Sequence, residues 1–88
     1  MKIEKSEKKN KKYKVKHNGK YVHFGDTRYE HFKDTTGLGL YSNLDHNDKK
    51  RQKNYCKRSA GIKDKNGNLT KNNKFSANAL SRKFLWSC

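Results

Sequence analysis

The chain has 88 residues, with 23 Lys and Arg against 8 Asp and Glu, and a formal net charge of +15 at pH 7. That length holds one domain, an apolar fraction of 30% allows no sizeable core, and no run approaches the roughly 18 apolar residues of a membrane span. The charged opening from Met1 to Asn10 lacks the apolar stretch of a secretory signal, so a reducing cytosol or nucleus is the expected setting and an acidic partner the expected contact.

After Met1, residues 2–12 are Lys, Glu, Ser and Asn around one aliphatic side chain, Ile3, which buries too little to offset ordering entropy. A flexible Lys-rich arm is expected there, followed by a single compact α+β domain over residues 13–88. Asn18-Gly19 then separates two alternating runs, Tyr13–His17 and Lys20–Gly25, and both turn residues tolerate positive φ. The resulting hairpin pairs His17 with Lys20, Lys16 with Tyr21, Val15 with Val22, Lys14 with His23 and Tyr13 with Phe24. Tyr13, Val15, Val22 and Phe24 share one face; Lys14, Lys16, Tyr21 and His23 share the other.

Residues 26–34 read as a short third strand or as one helical turn that stacks Tyr29 and Phe32. Residues 35–41 read as a loop whose two glycines, Gly37 and Gly39, let it fold its apolar side chains inward. A basic helix follows, capped by Asp45 or Asn47, favoured at its N-terminus by Asp48, and ended at Gly61 as the C′ residue. Leu44, Tyr55, Cys56 and Ala60 are its inward groups. The Asn66-Gly67 turn lacks strand-forming flanks and is read as a loop. Ser76 caps a C-terminal helix in which Ala77, Leu80 and Phe84 recur at helical spacing, with Leu85 and Trp86 closing the core.

The fold class expected is therefore α+β: a small antiparallel hairpin sheet packed by a basic helix and a C-terminal helix. Cys56 and Cys88 lack zinc-ligand spacing and read as reduced thiols, one semi-buried and one at a frayed end. His17, His23, His31 and His46 assemble no complete catalytic or metal site, and Gly37-Leu38-Gly39 lacks the Lys-Ser or Lys-Thr of a phosphate loop. No catalytic residue, metal or cofactor is expected, and the chain reads as a non-enzyme.

The positive signal is cations interleaved with aromatics. Lys14, Lys16 and Tyr21 on the hairpin, Lys49, Lys50, Arg51, Lys53, Lys57 and Arg58 on the helix, and Lys8, Lys9, Lys11 and Lys12 on the arm are the residues expected to meet phosphates. Lys outnumbers Arg 19 to 4. Bidentate base reading favours Arg, so the excess of Lys points to backbone attraction without sequence preference.

As a set, Lys12-x-Tyr-x-Val, Gly19-Lys20-x-Val-x-Phe-Gly25, Tyr29-x-His-Phe32, Leu44-Asp-His-x-Asp-Lys-Lys-Arg51, Tyr55-x-x-Arg58, Phe75-Ser-Ala77 and Ser81-x-x-Phe-Leu-Trp86 resemble small basic proteins of unknown function. That family is encoded by large double-stranded DNA viruses of algae and protists. The resemblance spans residues 11–86 and implies a viral setting rather than a reaction, with the Phe-Gly corner and Phe-Leu-Trp ending as structural elements. It implies location in the virion, or in host cytoplasm or nucleus during infection. Three partners follow: DNA in the virion interior, acidic capsid or core proteins around a minor structural component, or RNA stacked on exposed Tyr21 and Tyr41.

Overall fold

The computed structural model describes residues 2–88. Asn18 and Gly19 hold φ of 51° and 77°, the left-handed pair that a two-residue hairpin turn requires. On either side of that turn, β2 (Lys11–His17) and β3 (Lys20–Asp26) pair antiparallel in the predicted register, from His17 opposite Lys20 to Tyr13 opposite Phe24. The face segregation follows: Tyr13, Val15 and Phe24 are fully buried, and Val22 packs against them half-buried.

The expected mobile arm is corrected by a third strand. Ile3–Lys5 forms β1, which pairs antiparallel with β2 and gives the sheet order β1-β2-β3. Ile3 lies opposite Val15 and packs on the core. Asn10, at φ 64°, helps turn the chain back, with the Lys11 amide donating to the Lys8 carbonyl at 3.1 Å. Ser6 is buried and its hydroxyl lies 2.7 Å from His23 Nδ1. Side-chain burial alone did not predict this order; the ladder bonds offered by β2 and the Ser6 anchor supply it. Met1, the first residue of the expected arm, lies outside the described residues.

Asp26 closes β3, and residues 27–34 form neither a third strand nor a helical turn. The chain runs irregularly past Tyr29 to an isolated parallel bridge between His31 and Asp45. The glycine loop also departs from expectation, because Leu38 and Leu40 remain 44% and 49% exposed. Asp34 fixes this backbone by accepting from the Thr36 amide and hydroxyl, and it is Tyr41 that turns inward, edge-on to Tyr13 at 5.3 Å.

The basic helix α1 spans Lys49–Ser59, and its N-cap is Asp48, whose carboxylate accepts from the Lys50 and Arg51 amides. Asn47 lies at φ 53°, outside the extended geometry of a cap, and Asp45 is committed to His31, so neither expected residue caps. Gly61 follows the C-cap Ala60 without a positive φ; the helix closes through the Ala60 amide, which donates to Cys56 and Arg58 carbonyls. The second helix, α2 (Ala77–Phe84), starts at the Ser76 cap as predicted. It packs on β3 and completes the core with Leu80 and Leu85, each 1% exposed. The sheet and both helices thus make an α+β fold around one small cluster.

The two cysteines are bonded to each other, which corrects the expectation of reduced thiols. Cys56 and Cys88 stand 32 positions apart with Cα atoms 5.6 Å apart. Beyond α2 the chain folds back, with Ser87 at φ 50° and the Cys88 amide donating to the Arg82 carbonyl at 2.8 Å, so the terminal residue arrives beside α1.

Candidate nucleic-acid interface

Helix geometry divides α1 into three stripes. Gln52, Cys56 and Ser59 face α2 and the C-terminal turn: Gln52 Nε2 donates to the Trp86 carbonyl, and Arg82 Nη1 donates to the Cys56 carbonyl and Ser59 Oγ. Lys50, Lys53 and Lys57 occupy the outward side with Lys49 at their edge, all four exposed. Arg51, Tyr55 and Arg58 form the third stripe. The helix contains no acidic residue. Among the described residues, the four lysines and Arg58 make no ion pair, and Arg51 pairs with Glu30 at 3.0 Å.

The hairpin contribution is smaller than the sequence implies. Lys14, Lys16 and Tyr21 do sit together, with the Lys14 and Lys16 ammonium groups 4.4 and 5.9 Å from the Tyr21 ring centre. However, Lys14 Nζ also donates to Glu7 at 2.7 Å, and Glu4 lies opposite Lys14 across the β1–β2 ladder. That hydrogen bond lowers the Glu7 pKa and raises that of Lys14. The segment expected to be a mobile arm thus brings carboxylates onto this face and cancels part of its charge. Lys8 and Lys9 are exposed at the β1–β2 turn.

Lys12 is not available to an external phosphate. It is 2% exposed, and its Nζ donates to the Tyr29 carbonyl at 3.0 Å and to His31 Nδ1 at 2.8 Å. Burial pulls its pKa from 10.5 down to about 8. Because His31 Nδ1 accepts from the ammonium, its proton sits on Nε2, which donates to Asp45 Oδ1 at 2.5 Å; the same oxygen accepts from the Asp34 amide. Asp34 in turn accepts from the Tyr13 hydroxyl, itself the acceptor for the Leu40 amide. This buried chain ties residues 29–45 to the sheet. Burial, then the Lys12 charge, lowers the His31 pKa against the pull of Asp45.

His46 packs between Phe32 and Trp86, with ring centres 6.1 and 5.2 Å away. Its Nδ1 accepts from the Asp48 amide, and its buried Nε2 has no hydrogen-bond partner among the described residues. Burial, with Arg51 nearby, lowers its pKa. Among the described residues no three His, Cys, Asp or Glu side chains cluster as metal ligands.

A cleft of about 650 Å³ opens between the free end of the hairpin, α1 and the C-terminal turn. Lys11 lines it from β2, Arg51, Tyr55 and Arg58 from α1, Tyr29 and Trp86 from the flanking segments. Trp86 stacks on Tyr55 with centroids 4.0 Å apart and planes 10° from parallel. The sequence singled out the cationic members of this cleft; it assigned Tyr55 and Trp86 to packing and did not anticipate Tyr29.

Residues 1–36 match the model of a family of unknown function (DUF5754). The matched segment holds the three strands and His31. No curated protein and no solved structure matches the chain.

Proposed function

We propose that the protein binds nucleic acid electrostatically and without sequence preference, as a small genome- or virion-associated viral protein. The observation that carries this reading is the outward side of α1, where Lys49, Lys50, Lys53 and Lys57 stand exposed on a helix without a carboxylate, with no ion pair among the described residues. Rigid spacing along a capped helix presents the four ammonium groups as one strip, and a net charge of +15 adds long-range attraction. Lys8 and Lys9 extend the cationic surface. Lys is the suitable residue here, because a point charge tracks phosphates without reading base edges.

Binding of random-sequence duplex DNA, followed by fluorescence anisotropy across a salt series, tests the reading. The logarithm of the affinity should fall linearly with log salt, with a slope of about 0.9 per phosphate neutralised. Absence of binding at low ionic strength, or an affinity indifferent to salt, overturns it and leaves the charge to an acidic protein surface.

A further inference from the structure

The arginines are distributed differently from the lysines. Of 4 arginines in the chain, Arg51 and Arg58 line the cleft, whereas Lys11 and the buried Lys12 are its only lysines among 19. A guanidinium is planar, binds phosphate oxygens through a fork of N–H groups and stacks on aromatic faces. The cleft provides both surfaces. Arg58 lies 5.9 Å from the Tyr55 ring centre and makes no ion pair among the described residues. At the opposite rim Tyr29 is 64% exposed, with the Arg28 guanidinium 5.7 Å from its ring.

Two carboxylates border this space, and both are neutralised locally: Glu30 by Arg51, and Asp26 by two hydrogen bonds from the Arg28 side chain. Among the described residues neither Arg58 nor Lys11 makes an ion pair, although Lys11 lies opposite Asp26 across the β2–β3 ladder. A cleft of this volume falls among those that enclose a small ligand, roughly 300–1,000 Å³.

The geometry points to the cleft as a pocket for one unpaired nucleotide, its phosphate held by Arg58 and Lys11 and its base stacked on Tyr29. This rests on the nucleic-acid reading above and deepens it. The strip on α1 holds the backbone of any nucleic acid, and the cleft accepts a base only where a strand is open. Base-on-aromatic stacking beside a cationic groove is the general means of holding single strands without sequence readout. Single-stranded nucleic acid therefore binds in preference to the same sequence as a blunt duplex.

Trp86, the single tryptophan, lines the cleft and reports on its occupancy. Adenosine monophosphate should change its fluorescence saturably, while inorganic phosphate or adenosine alone should bind much more weakly. Arg58→Gln should weaken adenosine monophosphate and single-strand binding about tenfold, and Arg58→Lys should restore only part of it. The same Arg58→Gln protein should lose more affinity for single strand than for blunt duplex, so that the preference for single strand shrinks.

Equal affinity for single strand and duplex, or a silent Trp86 with adenosine monophosphate, sinks the pocket and leaves the electrostatic reading standing. So does inorganic phosphate competing as well as the nucleotide. Failure of both nucleic acids to bind at low salt removes the electrostatic reading itself.

Discussion

Lys12 Nζ and His31 Nδ1 share a hydrogen bond of 2.8 Å inside the fold, with both residues at most 2% exposed. A cation taken out of water beside a neutral imidazole is destabilised in its charged form, and its pKa falls to about 8 from 10.5. Between those two values the unfolded chain binds more protons than the folded one, so stability rises with pH across that interval. The full effect is on the order of 3 kcal/mol.

Thermal melts at constant ionic strength should therefore show Tm rising from pH 8 toward pH 10. Tyr13 reverses the trend: burial and then its bond to Asp34 raise its pKa to about 12 from 10.0, and the stability this confers below pH 10 is lost as pH climbs through 12. Lys12→Met should remove the rising limb whatever its absolute Tm. An unchanged limb in that variant would mean that Lys12 is solvated.

The histidines act with the same sign as Lys12, at lower pH. His31 and His46 have lowered pKa values in the fold, each chiefly through burial, so the unfolded chain takes up their protons first. Their contribution is present above about pH 6.5 and is lost as pH falls through the folded values. Histidine C2 proton shifts should show both rings titrating below the usual imidazole range. Ordinary values for both would remove this acid limb.

Gly25 shows why the Phe-Gly corner favours glycine. It sits at φ 79°, and a Cβ there would lie 2.9 Å from a Leu85 methyl and 3.0 Å from the Lys12 stem. Gly25→Ala should cost about 2–4 kcal/mol in urea denaturation, combining backbone strain with overpacking. Gly67→Ala, at φ 82° with open space around it, isolates the backbone share and should cost about 1–2 kcal/mol. Equal losses would mean that Leu85 and Lys12 move aside freely.

What the sequence revealed was whatever depends on neighbours in the chain. The Asn18-Gly19 turn dictated the hairpin register, and alternation placed Tyr13, Val15 and Phe24 on one face; Ser76 announced α2. Contacts between distant segments carried no such signal. Lys12 reads as one more arm cation until Gly25, lacking a side chain, makes room for its stem and His31 arrives at its tip. Glu7 neutralises Lys14 only because β1 folds onto β2. The cationic surface was legible on α1, where composition sufficed although the cap was misassigned, and misread at Lys12 and Lys14, where tertiary pairing decides which charge remains free.

The Cys56–Cys88 bond is the covalent tie between α1 and the chain end that carries Trp86. Closing a loop across 32 positions restricts the unfolded chain by about 3.5–4 kcal/mol in the loop-entropy account. Thiol titration of the oxidised protein under denaturing conditions should find no free thiol. Reduction, or Cys88→Ser, should lower the urea midpoint by a corresponding amount while leaving the hairpin register, read from cross-strand amide contacts, unchanged. Two free thiols in the oxidised protein would break the tie.

The division of labour among the lysines gives the last expectation. Lys49, Lys50, Lys53 and Lys57 are exposed with no ion pair among the described residues, whereas Lys14 already neutralises Glu7 and Lys12 is internal. Changing the four α1 lysines to Gln should reduce the salt slope of duplex binding by about 0.9 for each phosphate that is no longer neutralised. Lys14→Gln frees the Glu7 carboxylate and removes one cation, so it should weaken binding only through net charge, with a slope change well below that of a single phosphate. Anisotropy titrations at several salt concentrations separate the two. A larger slope change for Lys14→Gln than for the α1 set would move the interface from the helix to the outer face of the sheet.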